Sequence, residues 1–406
     1  MGNEDPHPQD PGARRLTATK WPAVWAVFFA GLAAAGCIGK VPPLLPTLRG
    51  DLGLTLVQSG FIATMLNVMG MAVGLFAGML ADRFGHKRFV LAGLAMLALG
   101  GGAGAAAESY AMLLASRFLE GTGFVMTTIS GIALITNATL PADRPNAMSL
   151  WSAYMPTGGA VAMLLAPLAL SAIGWRGYWI AIALAAALAL ILVARFVPAP
   201  AFGGQVRILP LAIESLGRTG SLLLCLAFFG YAAQWASIMV WLPTFAIDER
   251  GASATLAALL TTGMVAINIP GNLAGGWVMG RGFSRANLIV FAGTVQAVTG
   301  AAVFVDALPD TARYACCLAF SLFGGLLPMA VFSGVPVHAR SNAHIGTANG
   351  MVMQVSQFAQ FFGPLAVAWL AVRHGWSASI LPMLAFAACS IAAGFAIGRL
   401  ERRQAA

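Results

Sequence analysis

Charge is scarce in this chain. Of its 406 residues 9% are Asp, Glu, Lys or Arg, against 59% apolar residues, and the mean hydropathy is +0.81. A water-soluble domain carries roughly 25% charged residues, so a soluble globule of any size is excluded. Cysteine is also sparse: Cys37, Cys225, Cys316, Cys317 and Cys389 all fall inside apolar runs. There a thiol behaves as a small buried hydrophobe, which excludes a disulfide frame or a thiolate metal set. His, Asp and Glu show no metal-ligand spacing, and no nucleophile sits beside a base, so neither an enzyme nor a metal or other cofactor is expected. His338 and His344 are expected to be surface residues of a loop. Gly39-Lys40 lacks the first Gly of a phosphate loop, which here is Ala34, and Val41 follows, so nucleotide binding is excluded as well.

What the chain has instead is long apolar stretches. A helix needs about 20 apolar residues to cross the hydrocarbon core, and such stretches run over 22–46, 55–80, 88–107, 110–137, 147–172, 176–197, 219–246, 254–280, 286–306, 312–337, 346–372 and 377–398. The first 20 residues are polar and end in Arg14, Arg15 and Lys20. The segment after them is long enough to span, so it is expected to be a retained first helix rather than a secretory peptide. With that end inside, the loops on the cytoplasmic side hold far more of the 23 Lys and Arg than the outer loops, which hold Arg49, Arg176, Arg250, Arg313 and Arg373. This is the positive-inside bias. It predicts cytoplasmic N- and C-termini in a multi-pass protein of the cell membrane, bacterial inner membrane by this reading. The net charge of +9 is then met by anionic membrane lipid and implies no nucleic acid.

The chain is also duplicated. Sliding it on itself by 201 residues superposes Phe28 on Phe229, Pro42 on Pro243, Arg49-Gly50 on Arg250-Gly251, Asn67 on Asn268, Gly70 and Gly74 on Gly271 and Gly275, and Gly174-Trp175 on Gly375-Trp376. Six spans is an even number, so both halves enter from the same side and form two bundles related by an axis along the membrane normal. The expected architecture is an all-α membrane protein of 12 transmembrane helices in two pseudo-symmetric six-helix bundles. Its parts are a tail over 1–20, an N-terminal bundle over 21–197, a linker over 198–218, a C-terminal bundle over 219–398 and a tail over 399–406. Gly70, Gly74 and Gly78 leave a smooth strip on the second helix for close backbone approach.

The charged turn Gly78-Met79-Leu80-Ala81-Asp82-Arg83-Phe84-Gly85-His86-Lys87-Arg88 joins the second and third helices. It resembles the cytoplasmic loop signature of the major facilitator superfamily, with His86 where a Lys or Arg is usual. Ser116-Arg117-Phe118-Leu119-Glu120-Gly121-Thr122-Gly123 resembles the fourth-helix signature of the same superfamily. The resemblance implies a secondary transporter working by alternating access. It also implies that Asp82, Arg83 and Arg88, with Gly85 allowing the tight reversal, lock the halves together on the cytoplasmic side. By it Arg117 faces helix 1 and the cavity, with Glu120 in the polar slot beside it. Gly276 to Arg281, the repeat of this loop, lacks the Asp, which weakens a second lock. The first helix and following loop, Gly39 to Leu54, are similar to the cyanate and nitroimidazole transporter group.

Polar side chains inside spans are costly and therefore informative. Arg117 and Glu120 are three apart and share a face, and Lys40 lies late in helix 1 at a comparable depth. Lys40 and Arg117 are expected to form a positive spot in the cavity, with Glu120 and an anionic ligand completing the balance. In the second half Trp241 and Leu318 replace Lys40 and Arg117, and the polar signal is amide and aromatic: Tyr231, Gln234 and Trp241 on helix 7, Asn268 on helix 8, Gln357 and Gln360 on helix 11. These nine residues are the expected substrate ligands, with Glu120 the proton-coupling group. Pro156, Gly158-Gly159, Gly324-Gly325 and Pro328 permit bends. The expected function is proton-coupled import of a small anionic solute by a monomer. The alternative is a drug or metabolite efflux antiporter, which by resemblance calls for Gly-Pro-x-x-Gly-Gly on helix 5 where this chain has Met155-Pro156-Thr157-Gly158-Gly159.

Overall fold

The computed structural model describes residues 17–198, 214–341 and 344–405. Most of the first tail and most of the linker lie outside these residues. Among the described residues the regular structure is helical: α1 (Trp21–Gly39), α2 (Val41–Leu52), α3 (Leu56–Phe84), α4 (His86–Ala105), α5 (Tyr110–Ala138), α6 (Arg144–Ser152), α7 (Tyr154–Phe196), α8 (Thr219–Asp248), α9 (Ala254–Gly280), α10 (Arg285–Ala302), α11 (Asp310–Gly324), α12 (Leu326–His338), α13 (Ile345–His374) and α14 (Ile380–Ala405).

Helices and spans do not correspond one to one. α1 hands over to α2 at Lys40, where Pro42 and Pro43 can only be accommodated in the first turn of a new helix. α6 and the first part of α7 together make the fifth span, and α11 and α12 make the tenth, broken at Gly324-Gly325. α7 contains two spans, because Gly174 (φ 67°, ψ 177°) reverses the chain inside it. Grouped so, the helices make the twelve spans in two bundles. Several begin on a side-chain cap: the Thr55 hydroxyl accepts from Gln58 N while Gln58 Oε1 accepts from Thr55 N, and Ser109, Ser253 and Ser284 accept from Met112, Leu256 and Asn287.

The internal repeat reappears in the backbone. Gly375 (φ 80°, ψ 167°) sits 201 positions after Gly174 and adopts the same left-handed extended conformation, each just ahead of a Trp. That region of φ/ψ space belongs almost only to glycine.

The bundles meet along the glycine strip. A Cβ on Gly70 or Gly74 would overlap Gln357 or Gln354 of α13, and one on Gly78 would lie 2.4 Å from Gly346 O. Hydrogen bonds from three side chains also cross between the halves. Gln354 Nε2 donates to Met71 O (2.6 Å) and its Oε1 accepts from Leu75 N (3.2 Å), Asn349 Nδ2 donates to Ile129 O (2.7 Å), and Ser149 Oγ donates to Asn272 O and Leu273 O (2.8 and 2.7 Å).

A Cβ at Gly174 or at Gly375 meets nothing within 4 Å, so substitution there tests the backbone alone. Gly174→Ala and Gly375→Ala should each destabilise the protein by about 1–3 kcal/mol, read as a lowered unfolding midpoint of the purified chain in detergent.

Candidate functional site

Between the bundles lies a cavity of about 70 Å³. The N-terminal bundle contributes Phe124 from α5, Ser152 from α6 and Tyr154 from α7. The C-terminal bundle supplies Phe228, Tyr231 and Trp235 from α8, Phe332 from α12, and the polar groups Asn268, Asn272, Ser356, Gln357 and Gln360. Its walls therefore combine ring faces with neutral hydrogen-bonding groups, and no Asp, Glu, Lys, Arg or His is among them. Asn268 is held by donating from Nδ2 to Ser321 O (2.7 Å), and its Oδ1 accepts from Asn272 Nδ2 (2.7 Å). Asn272 Oδ1, Gln357 Oε1 and Trp235 Nε1 are buried with no protein partner. Pockets that hold drug-sized ligands measure about 300 Å³ or more, so this cavity is narrow for such a ligand.

Of the nine expected ligands, Tyr231, Asn268, Gln357 and Gln360 line this cavity. Gln234 does not: fully buried, it donates from Nε2 to Met383 O (2.6 Å) inside the C-terminal bundle. Trp241 likewise turns inward, donating from Nε1 to Pro364 O (2.8 Å) and packing edge-on to Trp376. The face of α8 that meets the cavity runs through Phe228, Tyr231, Ala232 and Trp235. That is i, i+3, i+4, i+7 spacing, and apart from Tyr231 it is made of apolar residues rather than the expected polar ones.

Lys40, Arg117 and Glu120 do come together, but on one another and not on the cavity wall. All three are 0% exposed. Lys40 Nζ lies 2.5 Å from Glu120 Oε1, and Arg117 Nη1 pairs with Glu120 Oε2. Arg117 also donates from Nη1 to Cys37 O (3.0 Å) and from Nε to Ile62 O (3.2 Å). The Lys40 ammonium stands 4.0 Å from the centre of the Trp179 ring. The fourth side of the nest is α4: a Cβ at Gly100 would touch Glu120, and one at Gly104 would lie 2.5 Å from Trp179 Nε1. The trio thus welds α1, α3, α5 and the second half of α7 within one bundle.

At the end where α3 stops, the Asp82 carboxylate caps the start of α13 across the bundle interface. Its Oδ1 accepts from Gly346 N (2.9 Å), and its Oδ2 accepts from Thr347 N (2.6 Å) and Thr347 Oγ1 (2.5 Å). A carboxylate there meets free N–H groups and the positive end of the helix dipole together. His86 Nε2 lies 3.2 Å from Asp82 Oδ1, and Gly85 (φ 92°) makes the reversal between α3 and α4. Arg83 is exposed, with its guanidinium over Phe84, and Arg88 is exposed too. His338 and His344, expected at the surface, are buried instead. His338 Nε2 is 3.1 Å from Glu401 Oε1 and His344 Nε2 is 3.0 Å from Glu214 Oε2, because helix ends rather than a solvated loop surround them.

Removing one partner from a buried ion cluster costs about 3–5 kcal/mol. Glu120→Ala leaves two facing cations and should cost that much, whereas Lys40→Met leaves the Arg117–Glu120 pair balanced and should cost under about 1 kcal/mol; unfolding of the purified variants measures both. Asp82→Asn should loosen the closed end, lengthening and broadening the distance between spin labels placed at Phe84 and Ser341.

Residues 25–364 match the family described as Major Facilitator Superfamily. The hexuronate transporter of Bacillus subtilis (strain 168) is 23% identical over 389 residues, covering 88% of this chain and 89% of that protein. The putative niacin/nicotinamide transporter NiaP of the same organism is 24% identical over 350 residues, covering 83% and 85%. Among solved structures, the human organic anion transporter MFSD10 (TETRAN) superposes with a TM-score of 0.78 at 16% identity, over 96% of this chain and 100% of that one. The proton:xylose symporter XylE gives 0.76 at 15% identity, over 93% and 94%. With its two six-span bundles around a shared cavity, this chain belongs to the major facilitator superfamily and is a membrane transporter of small molecules.

Proposed function

We propose that the chain is a secondary active importer of a small, ring-bearing organic acid, taken up together with a proton. The observation that carries this reading is the chemistry of the cavity wall: rings for a flat apolar body, amides and hydroxyls for its polar rim, and no fixed charge to balance an ion. A bare carboxylate in a low-dielectric cavity without a counter-charge is costly, so a load that travels with its proton is favoured. Relatives named for hexuronate, niacin and 3-(3-hydroxy-phenyl)propionate transport support a small organic solute of this kind.

Glu120 is the group assigned to proton coupling. For it to serve, a proton takes the place of Lys40 or Arg117 at the carboxylate, so one of the two clasps opens during the cycle. Lys40 and Arg117 then act through Glu120 and not by touching the solute. The positive-inside bias sets the Asp82 end in the cytoplasm, which makes the conformation described here closed to the cell interior. Asp82, Arg83, Gly85 and Arg88 form the cytoplasmic gate in this reading. Both bundles and the whole cavity belong to one chain, which fits a working monomer in the inner membrane of a bacterium. Export is the second reading. A relative named as a cephamycin export protein, 30% identical over 133 residues, supports it.

Counterflow into proteoliposomes with an aromatic acid, its uncharged amide and small inorganic anions tests the reading. The acid and the amide should exchange, the inorganic anions should not, and acidifying the outside should speed net uptake of the acid. Asn272→Ala or Gln357→Ala should weaken the apparent affinity about tenfold, the worth of one buried hydrogen bond, while Lys40→Met should leave it unchanged. Exchange of inorganic anions that is abolished by Lys40→Met would return the cation pair to the binding site.

A further inference from the structure

On the outer face of the C-terminal bundle, away from the cavity between the halves, α9 and α10 barely touch although they follow one another in sequence. Behind the gap they leave, α11 and α12 form a back wall, and the result is an apolar groove of about 440 Å³. Leu288 and Leu326 are buried at its floor, and Phe283, Phe291 and Phe323 stand exposed on its rim.

One face of α9 runs through Gly271, Ala274 and Val278 along the groove, and Arg281, three residues on, caps the end of that helix, two residues before the rim residue Phe283. Arg281 is exposed, makes no ion pair among the described residues, and rests with its guanidinium 3.4 Å from the centre of the exposed Trp277 ring. A Trp and an Arg stacked at a helix end, beside a greasy slot, match an amphiphile with an apolar chain and an anionic head. The carboxylates that quench neighbouring cations are committed elsewhere: Glu401 takes Arg285 and His338.

We infer that this groove is a binding site for an anionic phospholipid, one acyl chain lying along Ala274, Val278 and Leu326 and the headgroup phosphate held by Arg281. A chain seated there packs on Leu322 and Leu326, on either side of the Gly324-Gly325 break, and the same broken span carries Phe332 on the cavity wall. The lipid therefore buttresses the joint of the tenth span from behind.

The test uses the full chain, purified in detergent and stripped of lipid, then titrated with phosphatidylglycerol or phosphatidylcholine of identical acyl chains. Bound lipid is counted by native mass spectrometry and the unfolding midpoint is recorded. The wild type should bind phosphatidylglycerol in preference and gain stability from it. Arg281→Gln should reduce that preference about fivefold, the effect of one basic residue at a charged membrane surface, while keeping chain-dependent binding. Ala274→Trp, which fills the groove, should lose binding of both lipids, and Val298→Trp on the exposed face of α10 should lose neither. Equal binding of the two lipids by the wild type, or undiminished phosphatidylglycerol binding by a monodisperse Ala274→Trp, would overturn the assignment.

Discussion

A charge that enters a membrane protein has to be matched where it stands. The N-terminal bundle is built around that constraint. Two cations and one carboxylate at zero exposure satisfy each other through short contacts, two backbone carbonyls and an indole face. Because those partners are supplied by four helices, the cluster holds the N-terminal bundle together. The same economy leaves the wall of the cavity between the bundles to aromatic rings and neutral hydrogen-bonding groups.

The two halves share a backbone and differ in what fills it. Where the N-terminal bundle places Lys40, the C-terminal bundle has Trp241, and around it Phe245, Phe304 and Trp376 pack ring on ring. At this place in the bundle aromatic packing stands where the other half has an ion cluster. Arg313, the one cation beside this cluster, is anchored by donating to Leu308 O and Val303 O. The contact between the halves is also asymmetric. On one side Asp82 meets the N–H groups of α13; on the other, Ser149 meets carbonyls of α9 with no carboxylate involved. The contact between the two halves is thus charged at one edge and neutral at the other.

How far the site could be read in advance depended on the residue. Gln357, Gln360, Asn268 and Tyr231 reach the cavity wall because polar side chains inside spans have few alternatives to a cavity or a neighbouring helix. Gln234 took the second alternative, donating to Met383 O, and its neighbour Trp235 took the cavity. One residue of register, 100° around a helix, separates those outcomes, and no local feature distinguishes them. Phe228 and Phe332 were missed for the opposite reason: among so many apolar residues a phenyl ring on a cavity carries no mark of its own. Lys40 and Arg117 were recognised as partners of Glu120, yet their direction depended on where Trp179 and the α4 glycines lie.

Composition and spacing alone were enough for the membrane location, the twelve spans, the duplication and the close-packing strip of Gly70, Gly74 and Gly78. These follow from hydropathy, helix length and the sterics of single residues, all local properties. The tertiary arrangement decided which polar groups face the cavity, that the charged trio seals itself inside one bundle, that His338 and His344 are buried against Glu401 and Glu214, and that α9 and α10 stand apart. Those outcomes depend on the rotation and separation of whole helices, which are set by the sum of many weak contacts between segments far apart in the chain.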